Sequence, residues 1–252
     1  MPVILAIETS AHVGGVALLP DAAAPNADAV IGEVIRDEHK LSAWLLPAID
    51  RVLARWGGDS GQIDAIAFGA GPGSFTGVRT ACATAQALAY AWQKPLLAVD
   101  SLQALAHQAV DDGGNDTTHI TVALDARMGE VYTASFVGIA TGSGIELRRQ
   151  TATTVQRPAA VTLTAGTLLL GSGASLVHAA QPDGPATAVT AEHNCNAENG
   201  WAIGVGRAAA TMLSSDAKTD PLTAEPVYVR NNVAQTEAER LALRQTNAVL
   251  VA

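Results

Sequence analysis

Cysteine is nearly absent: Cys82 and Cys195 are the two in 252 residues. Two isolated thiols give neither a disulfide framework nor a zinc knuckle. Positive charge is scarce too, with 15 Lys and Arg against 24 Asp and Glu and a formal net charge of -9. Such a chain does not grip phosphates by itself, so any RNA contact calls for a partner that supplies most of the basic surface. No apolar run reaches the roughly 18 residues that span a bilayer, and no charged segment precedes Val3–Ile7, which makes the cytoplasm the expected location. No period of roughly 20–50 residues repeats. What is abundant is apolar content, 48% against 15% charged. That suffices for a substantial core in one large domain or two lobes.

Read in order, Val3–Ile7 and Gly14–Leu19 are short apolar strands joined through Glu8-Thr9-Ser10 and a glycine-rich turn, a hairpin pattern. Residues 20–28 read as an insertion and Val30–Arg36 as a third strand. Leu41, Trp44, Leu45, Ile49, Val52, Leu53 and Trp56 then recur at helical spacing, and Pro47 interrupts the first turns, so the helix either starts near it or kinks. His39 ahead of this helix is read as a capping or surface residue. Ile63–Phe68 is a strand, followed by Gly69-Ala-Gly-Pro-Gly-Ser-Phe-Thr-Gly-Val-Arg79 and a helix from about Thr76 to Trp92. Leu96–Val99 is a strand and Ser101 the expected N-cap of a helix over Leu102–Gln108.

The breaker 111–116 is the expected lobe boundary. Past it, Ile120–Asp125 and Glu130–Phe136 make a hairpin around Ala126-Arg-Met-Gly129, where Asp125 and Arg127 either bind a ligand or brace the turn as an ion pair. Further elements are a strand at Ile145–Arg149, a short helix near Pro158–Leu163, a strand at Leu168–Leu170 with the turn Gly171-Ser-Gly-Ala174, and a helix at Trp201–Leu213. Ser214–Asp220 reads as a linker and Glu237–Arg244 as a solvated helix.

The glycine-rich stretch organises the rest. Strand, glycine loop, helix is the arrangement that turns backbone N–H groups toward an anion or toward another backbone. No Gly-Lys-Ser/Thr closes it as a P-loop, and Pro72 sits inside what a dinucleotide fingerprint would use as its tight turn. The helix that follows carries Val78, Ala81, Cys82, Ala85, Leu88, Ala89 and Trp92 on one stripe, while Thr80, Ala83, Thr84, Ala87 and Ala91 are small and barely polar. A helix with so little polar surface is usually covered on more than one side.

The string Gly-Pro-Gly-Ser-Phe-Thr-Gly-Val-Arg resembles the signature of the TsaB family, bacterial tRNA threonylcarbamoyladenosine biosynthesis proteins. Supporting segments are His39-Lys-Leu-Ser-Ala-Trp-Leu-Leu-Pro47, Asp125-Ala-Arg127 with Glu130-Val-Tyr132, and Glu225-Pro-Val-Tyr-Val-Arg230. The resemblance implies an α/β fold of two actin-like lobes, mixed sheets flanked by helices. The expected division is 1–109 for the first lobe, with 222–252 returning to it, and 110–221 for the second. It implies a non-catalytic subunit that pairs with the catalytic TsaD, with the ATPase TsaE as third member, in threonylcarbamoyl transfer to N6 of the adenosine beside the anticodon.

On that reading Gly71, Pro72, Gly73, Ser74, Phe75, Thr76, Gly77 and Arg79 form the glycine-loop motif. Glu8, Thr9 and Ser10 are a degenerate phosphate corner, with Glu where the family pattern places Asp. Trp44, Leu45, Ile49, Val52, Ala81, Ala85, Leu88, Ala89 and Trp92 contact TsaD, or a second copy when TsaD is absent. Catalytic relatives carry His-x-x-x-His where this chain has Ser101 and Leu105. No metal, tight cofactor or catalytic residue is therefore expected here, ATP and metal belonging to the partners, and tRNA is met only through the complex. The rivals are a metal-dependent M22-type glycoprotease and a kinase or ATPase of the actin-like superfamily. Neither His-Glu-x-x-His nor Gly-x-Ser-x-Gly is present to support the first.

Overall fold

The computed structural model describes residues 2–10, 14–21, 30–35, 41–110, 117–141, 144–185, 188–190, 201–213 and 218–230. His39, Cys195, most of the 20–28 insertion, the 111–116 breaker and the helix read at 237–244 lie outside them.

Two mixed sheets carry the chain. The first has order β3-β2-β1-β4-β5, from β1 (Ile4–Glu8), β2 (Gly14–Leu19), β3 (Ile31–Ile35), β4 (Ala65–Gly71) and β5 (Leu96–Asp100). Its hairpin strands β1, β2 and β3 are antiparallel, while β4 joins β1 and β5 joins β4 in parallel. The second has order β11-β10-β6-β7-β8, from β6 (Thr117–Arg127), β7 (Glu130–Thr141), β8 (Gly144–Arg149), β10 (Leu168–Leu170) and β11 (Ala188–Thr190). The short β9 (Thr154–Gln156) pairs with β7 off this path. Each sheet is therefore an antiparallel meander of three strands extended by two parallel ones. The duplication that no sequence repeat betrays is plain in the strand order.

Strand alternation decides which helix covers which face. Leu5, Ile7, Val16, Leu18, Ile66 and Phe68 point to one side of the first sheet, against α1 (Leu41–Trp56) and α2 (Phe75–Trp92). Ile4, Ala6, Ala17, Leu19, Ala65 and Ala67 point to the other, against α5 (Ala202–Leu213). Between the sheets lies α3 (Ser101–Val110). Its Ala104 joins the first sheet's core, while Leu102, Leu105 and Ala106 pack on Ile120, Val122 and Phe136 of the second. Gly204 lets α5 approach α3, since a Cβ there would sit 2.0 Å from the Ala104 carbonyl oxygen. The short α4 (Ala174–Ala180) covers the second sheet's far face through Ala174 and Val177. No helix among the described residues is long and apolar enough to cross a membrane.

Three features bear on the sequence reading. The first helix does not start near Pro47: α1 runs through it from Leu41 to Trp56, and both Pro47 and Ala43, whose carbonyl it cannot bond, are exposed residues. Within the span expected for the second lobe, α5 packs on β1 and β2 of the first sheet. Residues 219–227 hydrogen-bond to β4, β5 and α2, and Arg230 beyond them pairs with Glu130 of the second sheet. Thr219 N donates to the Leu96 carbonyl, and the Gln86 amide donates to the carbonyls of Pro221 and Ala224 at 2.9 and 3.0 Å. Finally, the cap of α3 is Asp100, whose carboxylate accepts from the amides of Leu102 and Gln103 at 2.8 and 3.1 Å. The Ser101 hydroxyl points elsewhere.

Candidate functional site

Where it points defines the site. The Ser101 hydroxyl reaches the corner at which β1 ends and the glycine loop begins. It donates to Glu8 Oε2 at 2.9 Å, lies 3.0 Å from Ser10 Oγ and accepts from the Gly71 amide at 3.2 Å. The other Glu8 oxygen accepts from the Ser10 amide at 2.6 Å. Glu8, Thr9 and Ser101 are fully buried, Ser10 nearly so. Burial pushes the Glu8 carboxyl above its ordinary range, and the hydrogen bonds from Ser10 and Ser101 pull the other way without overcoming it.

The glycine loop folds down onto this corner. Gly69, Gly73 and Gly77 each face it where a side chain would collide. A Cβ at Gly69 would lie 1.9 Å from Glu8 Oε2, at Gly73 2.4 Å from the Ser10 carbonyl oxygen, and at Gly77 1.8 Å from the Thr9 carbonyl oxygen. The Thr9 hydroxyl donates to the Gly77 carbonyl at 2.7 Å, and the Ser74 amide to the Ser10 carbonyl at 2.6 Å. Ser74 caps α2, its hydroxyl accepting from the Gly77 amide at 3.4 Å. The loop also turns at Gly71 (φ 100°), which a cis peptide joins to the buried Pro72. The amides of Gly71, Ser74, Gly77 and Val78 all have partners within the chain. A loop engaged in this way docks α2 on the hairpin.

The other singled-out residues separate. The resemblance implies a His-x-x-x-His metal pair in catalytic relatives at the positions of Ser101 and Leu105. The first is engaged with Glu8, and the second has no donor atom and packs toward the second sheet. These residues do not fit a metal. Asp125 and Arg127 form the turn-bracing ion pair at 3.4 Å, with the Arg127 amide donating to Asp125 at 2.7 Å.

Of the partner-contact residues, Leu45, Ile49, Val52, Ala81, Ala85 and Ala89 are buried in the chain's own core, and Leu88 and Trp92 are half-buried against it. Trp44 alone of the nine is exposed. The stripe reads as an interface because alanine suits helix–helix and helix–sheet contact equally. The sheet claims it, leaving Thr76, Ala83, Ala87, Tyr90 and Ala91 on the exposed side of α2. At the end of that side, an open hollow of about 570 Å³ lies between Tyr90, Ala91, Lys94 and Pro221.

The glycine loop and its corner fall within or beside a longer match. The family model of TsaD, tRNA N6-adenosine threonylcarbamoyltransferase, matches residues 29–162, more than half of the chain. The chain belongs to the TsaD family. Its similarity extends to curated members called tRNA threonylcarbamoyladenosine biosynthesis protein TsaB. It is 38% identical over 134 residues to that of Haemophilus influenzae, covering 53% of each chain. It is 39% identical over 133 residues to that of Escherichia coli, covering 53% of this chain and 54% of the other. Each match spans about half the length of the curated relative. A crystal structure of a Pseudomonas aeruginosa protein described as similar to peptidase YEAZ is 28% identical, with a TM-score of 0.75 over 91% of this chain and 100% of the other. A second, YeaZ from the same organism, gives 0.71 over 90% and 100% at 28% identity. The TsaD-family fold is thus the actin-like pair of mixed sheets that the glycine string implies.

Proposed function

We propose that this chain is a non-catalytic subunit of the machinery that transfers a threonylcarbamoyl group to N6 of the adenosine beside the tRNA anticodon. It acts in the cytoplasm by pairing with TsaD and bringing TsaE to the pair, ATP and metal being held by those partners. The observation that carries this reading is the closed corner. Glu8 and Ser101 hydrogen-bond each other where a phosphate or metal would need free donors and acceptors, and Gly69, Gly73 and Gly77 bring the loop into the remaining space. The names of the TsaB relatives support the pathway, and the exposed small residues of α2 support a helix-to-helix contact. When TsaD is absent, the same face pairs two copies.

The test is light scattering on this protein mixed with the TsaD of its own organism. The expected result is a one-to-one complex that Ala83→Arg or Ala87→Arg weakens at least tenfold without lowering the melting temperature. Ala85→Arg is the contrasting variant: Ala85 is wholly buried, so it unfolds the protein. Failure of wild-type protein to associate, together with hydrolysis of ATP or a peptide by this chain alone, would overturn the reading.

A further inference from the structure

At the start of α2, three exposed side chains form a cluster that the closed corner does not use. The Arg79 guanidinium carbon lies 3.8 Å from the Phe75 ring centroid and 5.8 Å from that of Tyr228, and its Nε donates to the Tyr228 hydroxyl at 2.8 Å. Phe75 is 58% and Tyr228 48% exposed, so this is surface rather than core. Among the described residues Arg51, Arg127, Arg148, Arg149 and Arg230 each have a carboxylate partner, and Arg79 has none. With one face on Phe75 and Nε engaged, its two terminal amino groups remain, coplanar and fixed in direction. That is the fork that matches a carboxylate with two parallel hydrogen bonds.

Arg79 precedes Ala83 by one turn, so the cluster adjoins the small residues of the exposed side. A flat Arg laid on one ring and tied to a second by its hydroxyl, beside a shallow small-residue row, has the composition of an interface centre, where Arg and aromatic side chains dominate.

Resting on the proposed pairing, we infer that Arg79 is the charged anchor of this docking face and takes a carboxylate side chain of the partner protein. Phe75 and Tyr228 hold it in position and form the apolar rim. Charge favours a protein carboxylate over an RNA phosphate. The cluster contributes one guanidinium without a carboxylate partner among the described residues, not a basic track, on a chain of net charge -9.

The experiment measures the affinity of fluorescently labelled TsaD from the same organism for wild-type, Arg79→Ala, Arg79→Lys and Tyr228→Phe protein. Melting temperatures check that each variant is folded. Arg79→Ala is expected to weaken binding by about 10- to 100-fold. Arg79→Lys should recover only part of that loss, since a point charge does not reproduce the fork, and Tyr228→Phe should weaken binding a few-fold through loss of orientation. Arg79→Glu should bind least, and an Asp or Glu to Arg exchange on the partner should restore it. Wild-type binding with Arg79→Ala within twofold of it overturns the anchor and leaves the pairing intact. No wild-type binding overturns both. An Arg79→Ala protein that binds TsaD normally, yet lowers the complex's affinity for an anticodon stem-loop RNA, overturns the protein carboxylate in favour of RNA.

Discussion

Gly77 has no room for a methyl group, because the Thr9 carbonyl oxygen is already there. Gly77→Ala must push α2 off the hairpin and is expected to cost about 3 kcal/mol in denaturant unfolding. Gly129→Ala, where nothing lies within 4 Å and only the positive φ of 73° resists, should cost about 1 kcal/mol. Ser101→Ala removes the hydroxyl shared by Glu8, Ser10 and the Gly71 amide, and should cost about 2 kcal/mol for the buried polar groups left unpaired. Glu8 sets a pH dependence of definite sign. Its folded-state pKa lies above the ordinary 4.5, so its neutral form fits the fold and stability declines as pH rises through the folded value. Glu8→Gln should flatten that decline in melting temperature measured against pH. At this scale the glycines were legible as a turn that needs them. Their opposing atoms were not, since Glu8, Thr9 and Ser10 lie some sixty residues earlier in the chain. Ser101 reads locally as a helix cap, and only the fold brings Glu8 to its hydroxyl.

Elements with a long apolar period were legible: the stripe from Leu41 to Trp56 spans α1, though Pro47 left its start open, α2 starts one residue earlier than expected and α5 one later. The missed elements, β9, β11 and α4, are three to seven residues long, too short for a period to register. The inner and outer sides of α2 were not separable either, because alanine lines both. The contact between α3 and α5 carries its own prediction. Burial, and then the nearby Arg207, lower the His107 pKa from 6.5 to about 4. Between those values the unfolded chain binds a proton that the folded one does not. Stability is therefore intact above pH 6.5 and falls as the pH drops toward 4, by about 2 kcal/mol allowing for the ring's partial exposure. Replacing His107 by Gln should remove that acid sensitivity from the melting curve.

At the scale of the molecule, the two actin-like lobes followed from the glycine string, but the path of the chain between them did not. The apolar pattern of Ala202–Leu213 predicts a helix and says nothing of which sheet it covers. The last described segment shows the same limit: Arg79 and Gln86 of α2 hold it from one sheet's cover and Glu130 of β7 from the other sheet. The return of α5 to the first sheet sets an order of events at the ribosome. Ile4, Ala6, Ala17, Leu19, Ala65 and Ala67 are synthesised early, yet their cover arrives only with Ala202–Leu213. For most of translation the nascent chain presents one uncovered apolar sheet face, which invites chaperones and aggregation. Nascent chains stalled before residue 202 should remain bound to chaperone and protease-sensitive, and chains extended beyond 213 should release and resist. Destabilising substitutions in α5 would accordingly lower cellular yield more than their equilibrium cost alone predicts.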